Sequence, residues 1–166
     1  SPEMKSTGEV VGFDKHLGSA YAKAESGAGH KLPLRGNIFI SVNDVDKMSV
    51  IPMARDFKEL GFAIIATEGT AQLLLENGIP TNSIYKVGEG RPNVVDSIKN
   101  GDIQLVINTP LGAQSRYDEY KIGKAAIKYN IPVITTISGA QAAVRAIRVL
   151  NNNNLKYKSL QSIFNS

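Results

Sequence analysis

The chain has 166 residues, 42% of them hydrophobic and 20% charged, with no cysteine and a formal net charge of +4. These figures describe one ordinary globular domain with short extensions and exclude disulfide and thiolate chemistry. Lys and Arg are scattered rather than blocked, and no apolar run approaches the ~18–20 residues of a membrane span, so neither nucleic acid nor membrane is an expected partner.

Residues 1–34 are polar and Gly-rich, with one short helical pattern at Leu17–Glu25. The opening SPEMKSTGEV has no signal-peptide core. Residues 35–150 form the informative region. Asn37–Val42 is a β-branched run after Gly36 and reads as a strand. Val50, Met53, Ala54, Phe57 and Leu60 recur at helical spacing, with Pro52 expected in the first turn and Gly61 as the stop. Phe62–Thr67 is a second strand, and Ala71–Asn77 a helix closed by Gly78 and Pro80. Ser83–Val87 is a third strand, and Pro92–Asn100 a helix ending before Gly101. Ile103–Asn108 is a fourth strand, Tyr117–Tyr129 a helix and Ile131–Thr136 a fifth strand. Ser138 is the expected cap of a last helix running to Leu150. Residues 151–166 begin with four asparagines and read as a linker plus a short terminal element.

Strands that are apolar on both faces and alternate with helices predict a three-layer α/β fold, a doubly wound five-stranded parallel sheet. Such folds bind ligands outside the carboxyl ends of their strands. Four loops therefore hold the candidate site: Ser41–Lys47, Thr67–Thr70, Lys86–Asn93 and Asn108–Ser115.

In the second loop Gly69 permits close backbone approach, and Thr67 and Thr70 flank a helix N-terminus, which favours a phosphate or carboxylate. Thr70 and Gly69 are equally readable as a cap and a turn residue. The first loop adds Ser41 and Lys47, with Asp44 or Asp46 as the expected helix cap. The third adds Lys86 beside two glycines and Arg91. The fourth adds Asn108 and Thr109, suited to a base or sugar edge or to a turn before Pro110. No GxGxxG follows the first strand and there is no GxxxxGK[ST] loop. His16 and His30 are the only histidines and lie far from the densest carboxylates, so no metal site is expected. No carboxylate or histidine stands at a strand end with a partner to tune it, so no catalytic residue is assigned. Two lysines and several hydroxyls on one sheet edge describe a pocket for a small phosphorylated molecule.

Four motifs occur in order at the expected element ends: Ser41-Val42-x-Asp44-x-Asp46-Lys47, Ala66-Thr67-x-Gly69-Thr70, Lys86-Val87-x-Glu89-Gly90-Arg91-Pro92 and Ile107-Asn108-Thr109. Together they resemble the methylglyoxal-synthase-like domain, in the spelling that ends the large subunit of carbamoyl-phosphate synthetases. Ser6–Gly12 followed by Leu17–Ala24 resembles the close of the second ATP-grasp half of such a subunit. The implied division is a tail of that region over 1–34, the allosteric domain over 35–150 and an extension over 151–166.

The resemblance implies a cytoplasmic regulatory domain without chemistry of its own, which binds nucleotide effectors and tunes distant ATP-dependent synthesis of carbamoyl phosphate for pyrimidine and arginine pathways. In bacterial relatives UMP inhibits and IMP activates. Carried over, Ser41, Lys47, Thr67, Gly69, Thr70 and Lys86 would hold the effector phosphate, Asn108 and Thr109 would face the ribose or base, and Thr135 would border an ornithine site. No cofactor belongs to this domain; the parent enzyme would use ATP with Mg or Mn, and K. Its partners would be the rest of the large subunit and a glutaminase small subunit. Pro110 replaces a second threonine found in many relatives, and no tryptophan stands near Lys86, which disfavours N-acetylglutamate as effector. True methylglyoxal synthases, lyases acting on dihydroxyacetone phosphate, carry aspartates where this chain reads Glu89-Gly90-Arg91-Pro92-Asn93 and Asn108-Thr109-Pro110-Leu111, so that activity is not expected.

Overall fold

β-Branched runs bounded by glycine and proline form five short strands: β1 Asn37–Ser41, β2 Ala63–Thr67, β3 Asn82–Ile84, β4 Leu105–Asn108 and β5 Val133–Ile134. The computed structural model describes residues 31–110 and 116–165. The expected helix at Leu17–Glu25, both histidines and the loop residues Leu111–Ser115 lie outside the described residues. All strand pairs are parallel, in the order β3-β2-β1-β4-β5. Five helices follow the strands in turn: α1 Lys47–Glu59, α2 Glu68–Glu76, α3 Val94–Lys99, α4 Arg116–Lys128 and α5 Ile137–Phe164.

Side-chain alternation along the strands builds two cores. Ile38, Ile40, Ile64, Leu105 and Ile107 share one apolar cluster with residues of α1, α2 and α5. Phe39 and Val106 point the other way and pack with Val94 and Ile98 of α3 and Ile122 of α4. The chain therefore winds along one face through β1, β2 and β3, crosses over, and returns along the other. The reversal falls between β1 and β4, where Ser41 and Asn108 are register partners. In open parallel sheets this is where a crevice forms for a ligand. The larger core is anchored by Phe57 and Phe62, both fully buried, edge to face with ring centroids 5.7 Å apart.

Several local expectations need correction. Helix α1 starts at Lys47, so Pro52 lies inside it rather than in its first turn. A 3₁₀ turn at Asp44–Asp46, capped by the Asn43 side chain, leads into the helix; Asp46 holds the helix's N-cap position, as expected, but makes no side-chain capping bond. Helix α2 starts at Glu68, with Thr67 at the cap position, which places Thr70 inside the first turn. β3 stops at Ile84, so Lys86 stands just beyond it. Asn93, not Pro92, opens α3, through a capping box with Asp96. Thr136, not Ser138, caps α5 by accepting from the Gly139 N–H at 2.9 Å.

The largest difference is at the far end. Helix α5 does not stop at Leu150; it runs through the four asparagines to Phe164, over 28 residues. Asparagine is disfavoured in a helix by up to ~0.7 kcal/mol each relative to alanine, but it does not break one as proline or glycine does. A helix already seated on the sheet by Ala140, Ala143 and Ile147 carries its nucleus with it, so each added turn needs only propagation. Propensity alone suggested a linker there because it ignores that seat.

Candidate functional site

The first loop is stitched to the end of β4. The Thr109 N–H donates to the Ser41 carbonyl at 3.0 Å, and the Asn43 N–H donates to the Thr109 hydroxyl at 2.9 Å. The Asn43 amide nitrogen donates to the Pro110 carbonyl at 3.0 Å, while its oxygen accepts from the Asp46 N–H at 2.8 Å. These bonds fix the path into α1 and put Lys47 at its first position. From there Lys47 reaches toward α2. Its ammonium nitrogen is 3.3 Å from where a Gly69 Cβ would stand.

The Thr67 side chain makes no capping bond to α2. The first N–H groups of a helix have no intrahelical acceptor, and the terminus carries about half a positive charge. Lys47 beside that terminus sets like against like, unless an anion sits between them. Ser41, Lys47, Thr67, Gly69, Thr70 and Lys86 line one cleft of about 220 Å³. Ser41, Thr67 and Thr70 are buried, so their hydroxyls are held in place rather than sampling solvent. All six candidate phosphate ligands named from the sequence thus converge.

Lys86 is presented by a loop closed at its base. Tyr85 bridges to Asn93. A Cβ on Gly90 would come within 2.8 Å of the Tyr85 ring, so the ring lies flat on the glycine. The Asp96 carboxylate pairs with the Arg91 guanidinium at 2.6 and 3.1 Å and accepts from the Asn93 N–H at 3.0 Å. Those contacts, the Arg91 hydrogen bond foremost, hold the Asp96 carboxyl below its ordinary value.

Beside the cleft lies a narrow inner pocket of about 20 Å³, which shares Ser41, Thr67 and Lys86 with it and adds Asn108, Asp118 and Val94. Asp118 was missed by the sequence reading. Burial pushes its carboxyl upward, the Lys86 ammonium pulls it down, and the Glu89 carboxylate adds to the rise. The available signal was its place in the first turn of the helix after β4, since that helix starts at the ligand-binding edge. A wider cleft of about 640 Å³ opens across Lys86 and Gly69, with Glu68, Gln72, Tyr85 and Glu89 on its walls. Its two carboxylates make it a poorer phosphate seat.

Thr109 lines neither that first cleft nor the inner pocket. It is 1% exposed, and its hydroxyl serves the Asn43 N–H. Thr135 follows β5 at the sheet's outer edge, half-buried and beside the cap of α5, and it too lines neither. Among the described residues no group of three or more His, Asp or Glu could hold a metal ion, and no helix is long and apolar enough to cross a membrane.

The chain is 51% identical over 160 residues to the carbamoyl phosphate synthase large chain of Nostoc sp., covering 96% of this chain and 14% of that protein. It is 48% identical over 169 residues to the carbamoyl phosphate synthase large chain, C-terminal section, of Aquifex aeolicus, covering 99% and 32%. An arginine-specific, chloroplastic large chain from rice is 46% identical over 164 residues, covering 98% and 14%. The chain therefore spans at most about a third of the length of these relatives. In fold it is similar to the crystal structure of methylglyoxal synthase from Elizabethkingia anophelis, with a TM-score of 0.56, 18% identity, and coverage of 68% of this chain and 79% of that one. Residues 49–135 match the MGS-like domain, and the chain belongs to that family.

Proposed function

We propose that this chain is the effector-sensing domain of a carbamoyl phosphate synthase large chain, and that the cleft at the sheet's carboxyl edge binds the phosphate of a nucleotide. The observation that carries the reading is the meeting of the Lys47 ammonium, the uncapped α2 terminus and the buried Thr67 and Thr70 hydroxyls in one cleft. These donors face one carboxylate, Asp44, on the same lining. Asn108 lies deeper, toward the ribose or base, and Asp118 faces the same space, suited to a sugar hydroxyl or ring N–H.

The sensed phosphate is left intact. Binding favours one arrangement of this domain against the ATP-dependent part of the synthetase and shifts the population toward it. A coupling of about 1–3 kcal/mol suffices for a fivefold to hundredfold effect. The parent enzyme would take ATP with Mg or Mn, and K, and a glutaminase small subunit. Thr135 would stand at an ornithine border. Calorimetric titration with UMP, UTP, IMP and N-acetylglutamate side by side tests the reading. UMP or IMP should bind, and Lys86→Ala or Thr70→Ala should weaken binding roughly tenfold or more without unfolding. No heat with either nucleotide at millimolar concentration sinks it.

A second reading, a methylglyoxal synthase-type lyase acting on dihydroxyacetone phosphate, draws only on Asp118. Its carboxyl is raised by burial and shares a pocket with Lys86 and Ser41, as a proton-abstracting base would. Turnover of dihydroxyacetone phosphate that vanishes in Asp118→Asn would establish it in place of the first.

A further inference from the structure

The second half of α5 is exposed along its length. From Asn152 to Asn165 every residue is exposed, including Leu155 at 65%, Tyr157 at 60%, Leu160 at 55% and Phe164 at 82%. Leu155 falls on the opposite side of the helix, but the other three are not scattered. Ala143 and Ala146 lie in the core, and Leu150, Tyr157, Leu160 and Phe164 follow them at steps of four, seven, three and four in the sequence. On a helix those steps stay on one side. The face that seats α5 on the sheet thus continues as an apolar stripe past the sheet's edge.

The charge of the stripe's flanks narrows what covers it. Helix α5 carries Arg145, Arg148, Lys156 and Lys158 and no Asp or Glu. Two such tails paired with each other would bring like charges together. A carboxylate-rimmed groove would not. The relatives extend far beyond this chain, which covers 14% of the Nostoc protein, so such a groove has ample polypeptide to come from.

We propose that the tail of α5 docks through Tyr157, Leu160 and Phe164 into an apolar groove rimmed by carboxylates on the preceding part of the same synthetase chain. The inference rests on the reading of this chain as part of a carbamoyl phosphate synthase large chain. The docked tail continues a helix that is tied to α1 by the Arg148–Asp56 pair at 3.7 Å, and α1 begins at Lys47 in the phosphate cleft. Two helices packed in one core, α5 and α1, would then join the cleft to the rest of the enzyme.

Hydrogen exchange of amides 152–164 tests this in the full-length large chain and in the 166-residue chain. Protection should be at least about tenfold greater in the full-length protein and lost in the Leu160→Glu/Phe164→Glu double variant. In that variant the nucleotide's effect on the ATP-dependent rate should fall, while the nucleotide affinity of the 166-residue chain stays within about twofold. A full-length chain ending at Asn152 should show the same loss of response. The proposal is overturned if the tail amides exchange equally fast in both proteins. It is also overturned if protection in the isolated chain grows with concentration alongside a dimer mass, or arises only with phosphatidylserine vesicles. Absence of nucleotide binding to the isolated chain would instead count against the sensor reading and leave the exchange comparison valid.

Discussion

The ammonium nitrogen of Lys47 lies 3.3 Å from the point a β-carbon on Gly69 would occupy. Stability and binding should therefore move in opposite directions in Gly69→Ala. Alanine in a helix is worth about 0.5–1 kcal/mol over glycine, so the melting temperature should rise or hold. The new methyl displaces the ammonium and narrows the approach to the α2 N–H groups, so affinity for a nucleotide phosphate should drop several-fold, about 1 kcal/mol. Lys47→Ala should cost more, roughly tenfold to a hundredfold, with the fold unchanged. Thermal melts and calorimetry on the two variants check the pair.

Thr109→Val keeps the shape and removes the acceptor for the Asn43 N–H. That donor is partly buried and its bond is 2.9 Å. An unsatisfied buried donor costs about 1–3 kcal/mol, read as a lower denaturant midpoint. The same change loosens the entry to α1, so phosphate binding should weaken although Thr109 lines no part of that cleft. Thr109→Ser, which keeps the hydroxyl, should restore both.

Asp118 gives a pH signature. Its carboxyl is raised, first by burial, so the folded chain holds that proton to higher pH than the unfolded chain does. Its contribution to stability is present below the unfolded carboxyl value, about 3.9, and is lost as pH rises through the folded value. At pH 7 the ionised group is a burden. Asp118→Asn should melt modestly higher than the parent at pH 7, with no advantage below about pH 3.5. Melting curves across that range show the crossover.

Asp96 titrates in the opposite sense. Its carboxyl is held low, by Arg91 before the Asn93 N–H. The stability it adds is present above the unfolded carboxyl value and is lost as pH falls through the lowered one. The loop that presents Lys86 should therefore loosen in acid, seen as faster amide exchange at Asn93 and Val95. Asn93→Ala removes the other half of the capping box and should cost about 1 kcal/mol at any pH.

Much of this was legible before any coordinates. Strands with apolar residues on both faces, as in Ile38-Phe39-Ile40 and Leu105-Val106-Ile107, announce a sheet covered by two helical layers, because no other arrangement buries both sets. The strand ends then announce the cleft, since a parallel sheet sends every carboxyl end to one edge. Ser41, Thr67, Lys86 and Asn108 could be grouped on that ground alone. Asp118 could not. Its place depends on how α4 leans on α3 and the sheet, which are contacts between residues far apart in sequence. Thr109 shows the converse: its residue type suits a ligand, but its neighbours decide that its hydroxyl holds Asn43.

Residue order alone determined the alternation of strand and helix, the sheet edge at which the four candidate loops gather and the basic, hydroxyl-rich character of that edge, because these follow from local periodicity and covalent chain direction. Only the tertiary structure decided that Lys47 meets the first turn of α2, that Asp118 closes the pocket from behind, and that α5 passes through its asparagines to leave Tyr157, Leu160 and Phe164 exposed. Each of those outcomes depends on packing between segments distant in sequence, which local propensity does not encode.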